Sequence, residues 1–385
     1  VAVGALLLAW GASVYAGSAR APVPFNRIAT AALLLVPVLL WAMVQASGAL
    51  PSALWHPLWV EAAAALDRPV RAGVAVDWEM TRTAVLRLAT YAGVFVLALQ
   101  LGRERSRARL ALMAVAVAGT GYALYGITVH YAGWERILWL EKWAYEGDLT
   151  STFVNRNAYG AYAGLGVLCC VALFIHGVRP RRHDDRRARD VAEVLLFRAL
   201  PFLVAAVVVA WALMLSHSRG AFLATGAGLA ALLIAAVAGR LLVRRAALAV
   251  AVVVAGFGIA VAGASGDVTL QRLIDTPGSL DARSDLFRLA SDAVADAPWT
   301  GHGFGAFLPA FRVYRDSGLA APLTWEFAHN VHLEMAMDLG LPGAIALYAA
   351  FAVLAGACAA GLRRRRRDQI YPAVALAAVV LVGAH

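Results

Sequence analysis

Charge is scarce in this chain of 385 residues: charged residues make up 15%, where ordinary soluble domains carry about 25%. Lysine is almost absent, with Lys142 the single one among 34 basic residues. That excludes a phosphate-binding loop built on Gly-Lys and leaves Lys142 as the one possible Schiff-base lysine. Cysteine is equally sparse. Cys169 and Cys170 sit side by side in one apolar run and Cys358 in another, without metal-ligand or disulfide spacing, so all three are expected to be packing residues. No HExxH occurs, and no basic face on a soluble domain suggests nucleic acid.

What the chain has in excess is hydrophobic surface. Hydrophobic residues reach 61%, more than a soluble protein could cover with polar groups, so part of its solvent must be lipid. The sequence predicts an all-α polytopic membrane protein, a single integral-membrane domain over 1–385. Runs long enough to cross a bilayer fall at about 1–17, 28–50, 81–101, 110–130, 157–177, 199–215, 220–239, 246–263, 336–361 and 371–385, about ten transmembrane helices in all. The chain starts at Val1 and stops at His385 inside apolar runs, which predicts a longer protein at both ends.

Arginine sets the expected orientation. Alternate connections hold Arg20 and Arg27, the four arginines from Arg103 to Arg109, seven from Arg179 to Arg198, Arg240 with Arg244 and Arg245, and the block Arg363–Arg367. The positive-inside rule makes that face cytoplasmic. The opposite face carries the longer connections, about 51–80, 131–156 and the long loop 264–335, with short helices expected within that loop. Eight of the eleven tryptophans lie there, from Trp55 to Trp325, which points to a face resting on the headgroup layer. Trp55, Leu58, Trp59 and Ala62 form one helical stripe, as an interfacial helix would.

The residues able to do chemistry concentrate on this external face. In SLDARSDLFRLASDAVADAPW, Asp281 suits an N-cap, Leu286, Phe287, Ala290 and Val294 recur at helical spacing, and Pro298 ends the element. Arg283 would then lie in the first turn, where it opposes the helix dipole. Its use there is either to face an anionic ligand or to pair with Asp285 or another neighbour. GHGFGAF follows a helix and lacks a βαβ setting, so Gly301, Gly303 and Gly305 suit a tight turn with close backbone approach. In TWEFAHNVHLEMAMDLGLPG, His329 and His332 share a face if the helix has begun. Either could act as a general base, as a metal ligand with His302, Glu326 or Glu334, or as an ordinary structural histidine. Arg219, in the short turn LSHSRGAF, either snorkels or offers a forked donor to phosphate. Asn155 and Arg156 open the fifth span, with Asn155 equally suited to capping or to a ligand. Arg87 sits inside the third span, where an arginine is costly.

STFVNRN, SHSRG, RSDLFRLASDAVADAPWTGHGFGAF and AHNVHLEMAMDLGLPG, in this order and on one side, resemble the O-antigen ligase/polymerase superfamily of bacterial envelope glycosyltransferases. The resemblance covers about 150–345. It implies a metal-independent, inverting transfer at the periplasmic face of the inner membrane. The donor would be an undecaprenyl-diphosphate-linked glycan and the acceptor lipid A-core, with membrane lipids as further partners and no cofactor, metal or nucleic acid. It implies that Arg219 and Arg283 contact the carrier diphosphate and that His329 deprotonates or orients the acceptor hydroxyl. Arg156, Asn155, Asn330, His332, Arg288 and Arg87 complete the candidate substrate-binding set. The chemistry fits: many transferases neutralise the leaving diphosphate with a metal on an Asp-x-Asp pair, and the external face has none, whereas arginines in a low-dielectric site can take that charge. A polysaccharide polymerase or a protein O-oligosaccharyltransferase would use the same residues. A lipid or polysaccharide transporter is the rival of another class, though transporters place polar groups near the bilayer midplane.

Overall fold

The structure, a computed structural model, describes residues 1–18, 29–178, 195–245, 247–248, 252, 256, 277–316, 319, 325–365 and 368–385. The protein is mostly helical, in line with the expectation. The exception among the described residues is a two-stranded antiparallel hairpin, β1 (Arg136–Ile137) with β2 (Leu140–Glu141), pairing Arg136 with Glu141 and Ile137 with Leu140. Among the described residues, six helices are long and apolar enough to cross a membrane: α4 (Trp78–Leu101), α5 (Arg105–Tyr131), α6 (Arg156–Val178), α7 (Leu200–Leu215, counted from Phe197 as a span), α8 (Arg219–Ala238) and α11 (Val331–Arg364). Three further expected spans form shorter apolar helices: α1 (Ala2–Tyr15), α2 (Ala29–Gln45) and α12 (Ile370–Ala384). The expected span 246–263 lies almost wholly outside the described residues.

The chain divides into two compact units. One contains residues 1–100 and 275–354, the other 101–274 and 355–385. In the first, α9 (Pro277–Asp296) turns Leu286, Leu289, Ala290 and Ala293 inward against Phe307, Ala310 and Phe311 of α10 (Phe307–Phe311). Phe287 and Val294, expected among the core positions, are only partly buried. Helix α9 is described from Pro277, four residues before Asp281. Asp281 is therefore inside the helix, and Arg283 sits well beyond the first turn, where the dipole has little hold on it. The helix stops at Asp296, ahead of Pro298, as expected. The interfacial helix forms as α3 (Leu58–Leu66), but Trp55 precedes it and donates from Nε1 to Leu50 O at 2.8 Å. A second cluster joins Val38 and Ala42 of α2 to Phe304, Leu339 and Leu347.

In the second unit α6 is the central helix, with buried residues on every side, and it packs against α5, α7, α8 and α12. Glycine makes the close approach possible. A Cβ at Gly160 would lie 2.5 Å from Ala221 Cβ, and one at Gly164 would lie 2.3 Å from Thr225 Oγ1. Small residues at i and i+4 let helix backbones meet where no hydrophobic effect drives them together. Cys169 and Cys170 are buried in this core as free thiols, and the half-buried Cys358 is also free.

Candidate active site

Helix α11 is broken. Gly340 has φ 73° and ψ 164°, and Pro342 follows two residues later. A break at membrane depth orphans carbonyls, which hydrocarbon does not tolerate, and here each finds a donor. Met337 O accepts from His302 N at 2.8 Å and Asp338 O from Gly303 N at 3.1 Å. Gln45 Nε2 adds a bond to Asp338 O at 2.9 Å, and Trp41 Nε1 donates to Leu339 O at 3.0 Å. The Asp338 carboxyl, fully buried, accepts from Gly305 N at 2.7 Å. The GHGFG turn is thus the cap of a broken helix, and its glycines are required by proximity: a Cβ at Gly301 would stand 2.4 Å from Asp338 O. The expected close backbone approach is met by protein backbone.

His302 has a second partner. His56 Nε2 lies 2.9 Å from His302 Nδ1, and His302 Nε2 lies 2.8 Å from Ala293 O. The ends of this chain fix its protons. A carbonyl only accepts, so His302 carries its proton on Nε2 and accepts at Nδ1 from His56 Nε2–H. His56 Nδ1 is then free to accept from Leu58 N at 3.3 Å. Burial, followed by the neighbouring His302, lowers His56 to about 4. Burial lowers His302 too, against the opposing pull of Ala293 O and Asp296.

His329 and His332 do not share a helical face. Helix α11 begins at Val331, and His329 precedes it at φ 51°, in the left-handed region. The intervening Asn330 caps the helix, accepting from His332 N at 3.0 Å and Leu333 N at 3.3 Å, while Glu334 Oε2 accepts from Ala328 N at 3.0 Å. This reciprocal arrangement holds the turn that presents His329. The His329 ring is exposed and meets Trp325 edge-on at 6.0 Å, whereas His332 lies against Tyr348 at 5.1 Å. Arg288 is exposed on α9 and paired with acids, at 2.9 Å to Asp316 and 3.7 Å to Asp292. The Arg283 backbone lies in α9, and its side chain is outside the described residues. Arg87 lies about two and a half turns along α4, deeper than expected because the helix starts at Trp78, and it is exposed.

The second unit gathers a polar cluster of its own. Asn155 caps α6, accepting from Asn157 N at 2.7 Å, which favours the capping role. Arg156 pairs through Nη1 with Asp148 Oδ2, and Asp148 Oδ1 lies 2.8 Å from His217 Nδ1. Burial pushes the Asp148 carboxyl up, but His217 and Arg156 outweigh it and hold the group below its ordinary range. The buried Lys142 bonds Asp148 O at 2.6 Å and reaches Glu135 at 3.2 Å. After α7 the chain turns through Ser216–Ser218. His217 takes φ 51°, Ser218 Oγ donates to Asn157 Oδ1 at 2.7 Å, and the half-buried Arg219 opens α8. An open cleft of about 700 Å³ lies beside the hairpin, lined by Tyr125, Trp134, Glu135, Arg136, Glu141 and Lys142 among others. Asp148, His217, Gln45, Asp338 and His56 were not singled out in the sequence. His217 and Asp338 had a signal there, their places inside LSHSRGAF and AHNVHLEMAMDLGLPG.

These features define a multi-pass membrane protein with polar clusters at helix ends and at a helix break. Residues 204–348 match the family model described as O-antigen ligase, and the match supports the O-antigen ligase superfamily and a glycosyltransferase-like activity. It covers Arg219, Arg283, Arg288, His329, Asn330 and His332, and leaves out Arg87, Asn155 and Arg156. Neither a search of curated proteins nor one of solved structures found a match.

Proposed function

We propose that the protein is an O-antigen ligase-type transferase that moves a glycan from an undecaprenyl-diphosphate carrier to lipid A-core. In this reading about ten helices span the inner membrane, the loop 264–335 lies on the periplasmic side and the chain works as one integral-membrane domain. The observation that carries it is the family match over 204–348, because that stretch contains all three residues assigned to the chemistry. The acceptor hydroxyl attacks the anomeric carbon opposite the diphosphate, so a single displacement inverts it. His329, exposed on a braced turn, takes the acceptor proton. Arg219 and Arg283 balance the charge that grows on the diphosphate, without a metal. Arg156, Asn330, His332, Arg288 and Arg87 are the remaining candidate contacts for glycan or lipid, Asn330 and Asn155 also serving as caps.

General-base catalysis contributes about 10²–10⁴-fold, so His329→Ala should lower kcat by that order while carrier binding stays near normal. Near-normal turnover would remove His329 from the mechanism. Arg283→Lys should lose most activity, because an ammonium does not reproduce a forked contact. A wild-type rate in that variant would make Arg283 structural.

A further inference from the structure

We propose that Asp148 and His217 form a second proton-handling pair in this transferase, with His217 Nε2 donating to the departing diphosphate. The proposal rests on reading the chain as a diphosphate-dependent transferase. A carboxylate only accepts, so the 2.8 Å contact puts a proton on His217 Nδ1 and directs Nε2 away from Asp148. Among the described residues no partner takes Nε2, although the side chain is only 14% exposed. Arg156 already pairs with the Asp148 carboxylate, so His217 is not needed to balance that charge. Instead the carboxylate fixes the orientation of the ring. This is how an acid or base is held ready in other active sites.

The backbone agrees. His217 occupies the left-handed region, which non-glycine residues rarely enter and which collects at functional sites. It stands two residues before Arg219, in the turn capped by Ser218. The groups around it are Asp148 and Glu135 as acids, Arg156 and Lys142 as cations, and His130 at the end of α5, with Arg219 two residues further along the chain. Arg156 and Lys142 are held by Asp148 and Glu135, so the ring stands among paired charges at the mouth of the turn. The recess that ends on Asp148 shares Trp134, Glu135, Arg136 and Lys142 with the larger cleft outside it.

The step balances. The bond from the anomeric carbon to the diphosphate oxygen breaks, and its electron pair stays on that oxygen, which takes the Nε2 proton of His217. The acceptor oxygen forms the new bond and its proton goes to the general base of the proposed transfer. Both groups then return to their starting forms by exchange with water.

The test uses the full chain in lipid, a lipid-diphosphate glycan donor and a defined acceptor, with kcat and KM followed from about pH 5.5 to about 9. His217→Gly is the first variant, because glycine accepts the left-handed backbone, and Asp148→Asn is the second. His217→Gly should lose about 100-fold in kcat with little change in KM. It should also lose the fall in kcat at rising pH that a general acid imposes, and added imidazole should restore part of the rate. Asp148→Asn should lower kcat in the same direction. An unchanged rate, or a lower one with the wild-type pH profile and no rescue by imidazole, would overturn the proposal and leave the pair as a structural staple. A wild-type protein that transfers no glycan would sink the transferase reading and this proposal with it. Normal wild-type transfer alongside a fully active His217→Gly would sink this proposal alone.

Discussion

The protons on His56 and His302 are dictated by what lies at the two ends of their chain, a backbone amide and a carbonyl. Adding a proton to either ring would set two donors facing each other. The folded pair therefore resists protonation, and His56 stays neutral down to about 4 instead of the ordinary 6.5. Its contribution to stability is complete above about pH 6.5. As pH falls from there to about 4 the unfolded chain binds a proton that the fold does not, and the contribution is lost. The thermal midpoint should accordingly decline across that window, and His56→Gln, which keeps a donor but does not titrate, should decline less. An equally steep decline in that variant would contradict the account. Asn155 and Asn330 show another lesson of this scale. Both types of residue are strong caps and both were read as possible ligands, and only their hydrogen bonds to Asn157, His332 and Leu333 reveal the capping role.

At the scale of elements, the break in α11 organises the first unit. The turn 300–305 and α2 supply donors to three consecutive carbonyls, so the glycines act by letting backbones touch. A Cβ at Gly340 would come within 2.7 Å of Trp299 O, and the φ values of Gly301 and Gly340 are both positive. Strain and overlap together predict a loss of about 2–4 kcal/mol for Gly301→Ala or Gly340→Ala. Gly226→Ala in α8, where a Cβ meets nothing within 4 Å, should be neutral or stabilise by up to about 1 kcal/mol. Thermal unfolding of the three variants checks this, and equal midpoints for Gly301→Ala and Gly226→Ala would refute it. Hydrophobic periodicity located the main helices to within a few residues, and the GHGFG turn was legible from its glycines. The break at Gly340 was not, because apolar residues continue through it. Nor was the place of Asp281 in α9: it makes a good cap in isolation, but the helix already runs through it from Pro277. The His217–Asp148 and Gln45–Asp338 contacts join residues distant in sequence, so no local pattern could show them.

For the whole molecule, composition alone required lipid as a solvent, and the arginine distribution gave the proposed topology its orientation. Among the described residues six helices meet the length a bilayer asks for, while α1, α2 and α12, at 14, 17 and 15 residues, are shorter. The four motifs read in the sequence run from 151 to 343, and the family match at 204–348 takes in all but the first. The transfer proposed from these observations is one whose leaving diphosphate would be balanced by guanidinium groups. The most direct measurement is glycan transfer by the purified full chain, given a lipid-diphosphate glycan and lipid A-core, in excess EDTA. The account predicts covalent product at the rate seen with added magnesium. Transfer that stops in EDTA and returns with a divalent cation would contradict it.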